Sequence, residues 1–201
     1  MNYEKIMLEM LERIKTLEEK VSFLEDNRNN AEADEDEEVG EVPTETKESG
    51  RKLSRLEIMK ILSDKYGFAV RKGNRSEGSG IVASKNGKSY NIKVSYSRSY
   101  FDYISEEVIC SGWHTLYEKE IENTDFPFFI FVVSDADNKF YYFIFKREDI
   151  IKEFDYKVYD VNRKLHFYFR VKEDGRPVEL RETEMDMSAF YNNWEIFSKL
   201  K

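Results

Sequence analysis

Residues 126–133 read FPFFIFVV, a stretch with no charged and no hydrogen-bonding side chain. A strand of that composition cannot turn one face to water, so it predicts a central strand covered on both sides. The turn SDADNK and a second aromatic run, Phe140 to Phe145 (FYYFIF), come next and predict its hairpin partner. The rest of the chain must therefore supply two apolar layers, one for each face of this hairpin. The sequence has 15 Phe and 13 Tyr to do so. They are unevenly placed: residues 1–65 contain only Tyr3 and Phe23, so the core must come from the remainder.

Three segments follow from the patterning. Residues 1–27 predict a coiled-coil oligomerisation helix. With position a at Met7, Ile14 and Val21, position d falls on Tyr3, Met10, Leu17 and Leu24. In a parallel homodimer Arg13 would face Glu18, and Lys20 would face Glu25, both opposite in sign. Ile6 and Leu11 widen the first heptad's seam and leave trimers or tetramers open. The self-association residues are thus Met7, Met10, Ile14, Leu17, Val21 and Leu24. Residues 28–50 carry nine carboxylates between Glu32 and Glu48 with few apolar groups, and predict an acidic, disordered spacer. Residues 51–201 predict the globular domain.

Within that domain, LSRLEIMKILSDKYG predicts a helix stopped at Gly67. FAVRK predicts a short strand, and GIVAS and SYNIKVSYS predict a hairpin turned by Asn86-Gly87. REDIIKEF predicts a short helix, and LHFYFRV an alternating strand. DMSAFYNNWEIFSKL predicts a C-terminal helix with Phe190, Trp194 and Phe197 on one stripe.

Charge is segregated. The formal net charge is −8, yet residues 51–98 carry 12 Lys and Arg against Glu57, Asp64 and Glu77. This basic stretch predicts a phosphate-facing surface made of Arg71, Lys72, Arg75, Lys85, Lys88, Lys93 and Arg98. The alternative is a solvated face balanced by the acidic C-terminal half. One cysteine, Cys110, excludes an intrachain disulfide and predicts a reducing, cytoplasmic setting. No apolar run is long enough to cross a membrane as a helix, so no membrane partner is expected.

The order helix, strand, hairpin, apolar strand, hairpin partner, helix across residues 53–151 resembles the restriction-endonuclease-like, PD-(D/E)XK family. Lys93 within IKVSYSR sits where that family's motif lysine would be, Glu57 matches the assisting glutamate of the first helix, and Trp113 precedes the long apolar strand. The resemblance implies an α/β (α+β) fold, a central mixed sheet flanked by helices. It also implies a Mg²⁺ site built from two carboxylates beside the lysine. Here the carboxylate positions read Gly80 and Asn91. That departure predicts a catalytically degenerate site and no resident cofactor.

Other chemistry is sparse. His114 and His166 are the sole histidines, and no cysteine cluster accompanies them. Ser95, Ser97, Ser99 and Ser105 around Arg98 are possible phosphate contacts or an ordinary polar strand edge. The expectation is an oligomeric, nucleic-acid-associated binding or regulatory protein whose partners are itself and DNA. One alternative is an active Mg²⁺-dependent endonuclease using Lys93 with Glu57 and Glu77. Another is a protein–protein regulator docking through its aromatic C-terminal half. Phage or mobile-element defence is the biological setting suggested by analogy.

Overall fold

The computed structural model describes residues 50–74, 80–99, 108–135, 137–181 and 183–200, all within the unit Lys47–Lys201. The predicted coiled coil and acidic spacer, Arg75, Glu77 and Ser105 lie outside the described residues. The fold is mixed α/β, with a mixed five-stranded sheet and few helices. No helix among the described residues is long and apolar enough to cross a membrane.

Helix α1 (Gly50–Tyr66) buries Ser54, Ile58 and Leu62, four residues apart on one face. Leu56 is turned to solvent. Gly67 ends the helix in the left-handed conformation (φ 69°), and its N–H bonds the Ser63 carbonyl at 3.0 Å. Strands β1 (Ala69–Lys72), β2 (Ile81–Lys85) and β3 (Lys88–Arg98) then form an antiparallel meander. Its β2–β3 turn has both Asn86 and Gly87 at positive φ, as a tight two-residue hairpin requires.

After β3 the chain crosses through β4 (Val108–Tyr117) and the short helix α2 (Glu118–Glu122). It returns as β5 (Phe128–Ser134), parallel to β3, and pairs antiparallel with β6 (Phe140–Lys146). The first sheet is therefore ordered β1-β2-β3-β5-β6. Every residue of β5 is buried, as FPFFIFVV demanded. Helix α3 (Arg147–Glu153) follows, then β7 (Lys164–Lys172), β8 (Pro177–Glu179) and β9 (Met185–Asp186), which join β4 in a second sheet ordered β4-β7-β8-β9.

The two faces of the first sheet are covered differently. Ile92, Val94, Phe128, Ile130 and Val132 pack under α1 with Ile58 and Leu62. Phe129, Phe131, Phe143 and Phe145 pack against Phe167 and Phe169 of the second sheet, with Phe143 and Phe169 stacked at 4.5 Å. The expectation of a sheet flanked by helices is thus corrected on that face, where the main cover is a sheet. The reason lies in β7, whose strict alternation gives Leu165, Phe167, Phe169 and Val171 to the core. Strand β4 approaches so closely that a Cβ on Gly112 would lie 2.5 Å from Val133 Cγ2.

The predicted C-terminal helix is also corrected. The segment is β9, turns and a single 3-10 turn, Trp194–Phe197. It straps the β6 edge: Ile144 N–H bonds the Phe190 carbonyl at 2.9 Å, and Asn192 N–H bonds the Tyr142 carbonyl at 2.8 Å. Phe190 stacks on Phe145 on one side of the sheet, while Phe197 packs with Phe128 on the other. A straight helix would hold those rings on a single stripe; the left-handed Asn192 (φ 51°) lets the chain change sides.

Candidate nucleic-acid interface

The predicted basic surface is divided by the fold. Alternation along β1, β2 and β3 puts Lys72, Lys85, Lys88 and Arg98 on the α1 side, but Arg71 and Lys93 on the opposite side. Lys88 and Arg98 stand at the two ends of β3, about 33 Å apart at the usual strand rise. Lys85 is used internally: its Nζ donates to the Tyr66 carbonyl at 2.8 Å, satisfying the last turn of α1, and lies 5.2 Å from the Phe68 ring centroid. Arg71 and Lys72 are exposed on the four-residue edge strand β1, where basic side chains discourage pairing with another chain. The described members of the expected phosphate-facing surface therefore do not share one face.

The nuclease-like constellation is divided in the same way. Lys93 Nζ forms an ion pair with Glu120 of α2 at 2.6 Å, beside the Phe126 ring. Glu57 lies across the sheet, accepting the Tyr142 hydroxyl at 2.8 Å. A Cβ on Gly80 would meet the Ile92 carbonyl oxygen at 2.2 Å, so that position has no room for a carboxylate side chain. The described members of the implied Mg²⁺ site therefore do not converge. Among the described residues no group of three or more His, Cys, Asp or Glu is placed to hold a metal.

The serines of β3, and Ser99 just past it, serve the fold. Ser95 Oγ lies 3.0 Å from His114 Nδ1, Ser97 Oγ accepts the Trp113 N–H at 3.0 Å, and Ser99 Oγ accepts the Ser111 N–H at 2.9 Å. This row of hydroxyls fastens β3 to the edge of β4. His114 points into the phenylalanine core against Phe131 and Phe169, and burial pushes its pKa down to about 3. Cys110 lies in the same core, and burial pushes its thiol up to about 12. Folded protein is therefore expected to leave Cys110 unmodified by a thiol reagent at pH 8, with reaction only on addition of urea. Rapid labelling in the native state would contradict this burial.

The outer face of the second sheet is different. There β4 contributes Trp113, Thr115 and Tyr117, and β7 contributes Lys164, His166 and Tyr168, paired Trp113 to Tyr168, Thr115 to His166 and Tyr117 to Lys164. Trp113 is 38% exposed and Tyr117 41%, both unusual for rings so large. Trp113 stacks on Tyr168 with centroids 5.6 Å apart and planes 14° from parallel. The Arg181 guanidinium lies 5.8 Å from the Tyr168 ring centroid. Two ammonium groups, Lys164 and Lys119, lie 5.0 and 5.4 Å from the Tyr117 ring centroid.

These rings are held in place. The Trp113 indole N–H donates to His166 Nδ1 at 3.2 Å, and Thr115 Oγ1 lies 3.2 Å from the same nitrogen. His166 Nε2 bonds Asp160 Oδ2 at 3.0 Å. Because Nδ1 accepts from the indole, the imidazole proton sits on Nε2 and faces the carboxylate. Asp160 Oδ1 accepts the backbone N–H groups of Asn162 and Lys164 at 2.8 and 2.9 Å. The His166 hydrogen bond leads the interactions that hold the Asp160 carboxyl below its usual range. Beneath the face, Glu179 Oε1 accepts the backbone N–H groups of Tyr168 and Arg181 at 3.0 and 3.3 Å, together with the buried Lys157 ammonium at 3.1 Å.

Alternation places His166 on a strand, but the outer positions of that strand carry no expected role. The available signal was the even-numbered set of LHFYFRV, His166, Tyr168 and Arg170, which alternation must turn away from the core. Its partner strand β4 went unread. Compared with known proteins, the chain matches no family model, no curated protein and no solved structure.

Proposed function

We propose that this chain is a nucleic-acid-binding protein that associates with itself through its N-terminal heptads and binds without cutting. The observation that carries the reading is the pre-positioned Trp113–Tyr168 pair on the outer face of the second sheet, with Lys119, Lys164 and Arg181 around the neighbouring rings. Aromatic faces with cations beside them offer stacking to bases and charge to phosphates in one place. Within this proposal the PD-(D/E)XK resemblance describes an ancestral architecture. The separation of Lys93 from Glu57 supports its degenerate reading. The binding face moves from the basic stretch of residues 71–98 to β4 and β7.

The test is anisotropy of labelled DNA and RNA oligonucleotides with the full chain, in Mg²⁺ and over a salt series, with the strands recovered on a gel. Binding is expected to weaken linearly in log salt, with the strands intact. Absence of binding to every oligonucleotide at low salt, or cleavage abolished by Lys93→Ala, would overturn the reading.

A further inference from the structure

We infer that the face formed by β4 and β7 takes unpaired bases, so that its ligand is a single strand of nucleic acid; this rests on the nucleic-acid reading above. Duplex and single strand expose different groups. A duplex hides the faces of its bases in the stack and shows a protein its grooves and phosphates. An unpaired strand exposes the base faces themselves, and these stack on aromatic side chains. The surface here is made of ring faces and ring edges, lying on a sheet whose other side is committed to the core.

The spacing suits a strand. Trp113 and Tyr117 lie four residues apart on one face of β4, about 13 Å at the usual strand rise, or close to four base steps of about 3.4 Å. The charge is placed for phosphates. Lys119 and Lys164 come from different elements and bring two like charges to one exposed ring, an arrangement an anion between them would relieve. Three nearby carboxylates are already engaged: Glu118 with Arg163, Asp160 with His166, and Glu120 with Lys93. The indole is also anchored through His166 to Asp160, so little rotamer freedom remains to be lost on binding.

The experiment compares labelled oligo-dT of graded length, a matched duplex, and heparin as a polyanion without bases, using the full chain. Oligo-dT is expected to bind more tightly than the duplex, with affinity levelling off once the oligomer spans the two rings. Trp113→Ala is expected to weaken oligo-dT binding by roughly 5- to 150-fold while leaving heparin binding unchanged, and Trp113→Phe to restore most of the loss. Lys164→Gln is expected to lower the salt slope on oligo-dT by about 0.7. Tyr117→Ala, at a more exposed position, gives the same comparison if Trp113→Ala unfolds. Trp113 fluorescence in a Trp194→Phe background should be quenched by oligo-dT. Equal affinity for duplex and single strand, indifferent to Trp113→Ala and Tyr117→Ala, would overturn the single-strand inference while leaving the nucleic-acid reading standing. Failure to bind any oligonucleotide at low salt would overturn both.

Discussion

Glu179→Ala is expected to destabilise the domain by about 3–5 kcal/mol, as removal of one partner from a buried ion pair does. The Glu179 and Lys157 side chains are 0% and 1% exposed, and the ammonium lies between 5.5 and 5.7 Å from the ring centroids of Phe154, Tyr156 and Phe167. Without the carboxylate, that ammonium stays among aromatic rings and loses the Glu179 oxygen at 3.1 Å. The N–H groups of Tyr168 and Arg181 lose an acceptor in the same step. One oxygen of Glu179 already has no hydrogen-bond partner, so the carboxylate is held by its other oxygen alone. Urea unfolding should show a midpoint lower by about 2 M for a typical slope of about 2 kcal/mol per molar. Glu179→Gln should be milder, because the amide oxygen can still accept from the two backbone groups. A midpoint for Glu179→Ala within about 0.3 M of wild type would mean the pair is not seated as described.

Acidification is expected to weaken the domain well above the range in which carboxylates titrate. The buried His114 has its pKa lowered from the usual 6.5 to about 3, with burial as the cause. Between those values the unfolded chain takes up a proton that the folded chain refuses. Stability is therefore full above about pH 6.5 and falls by about 1.4 kcal/mol for each further unit of acid, until the folded imidazole itself titrates near pH 3. From pH 7 to 4.5 the loss should reach about 2–3 kcal/mol. Asp160, Asp174 and Asp186, whose carboxyls are held below their usual range, lose their contribution only at more acid pH, which leaves this window to the histidine. Urea midpoints at the two pH values measure it. In His114→Phe the drop should largely vanish, whatever the variant's stability at pH 7. An equal drop in the variant would assign the acid sensitivity elsewhere.

What the sequence made legible was set by how directly each residue reports its surroundings. β5 and β6 were plain because Phe128–Val133 and Phe140–Phe145 are unbroken runs of apolar and aromatic side chains with no charge to disguise them. Asn86-Gly87 and Gly67 were plain because their conformations exclude most other side chains. β4 was hidden because its pattern is inverted: the core receives Cys110, Gly112, His114 and Leu116, while Trp113 and Tyr117 face out. A scale of hydrophobicity reads that strand inside out. The candidate interface shares this difficulty, since it unites Trp113 with residues more than 50 positions later in the chain. The basic stretch is hard to read for another reason. Nearness in sequence is not nearness on a face, and strand alternation divided its lysines and arginines between two sides of one sheet.

The hydroxyl row on β3 has a consequence for alignment. Ser97 and Ser99 meet the N–H groups of Trp113 and Ser111, and Ser95 meets the His114 ring, so the order of contacts descends on one strand as it rises on the other. A shift of β4 by one residue would carry those groups off the serines to the level of Tyr96 and Arg98, whose side chains face α1 instead, and a shift by two would leave an end serine with nothing opposite. The row thus works as a vernier, with one setting at which all the marks coincide. A backbone ladder tolerates slippage because every rung is alike; here the rungs are side chains. The position of the Trp113 indole along the protein is fixed by three serines on the neighbouring sheet.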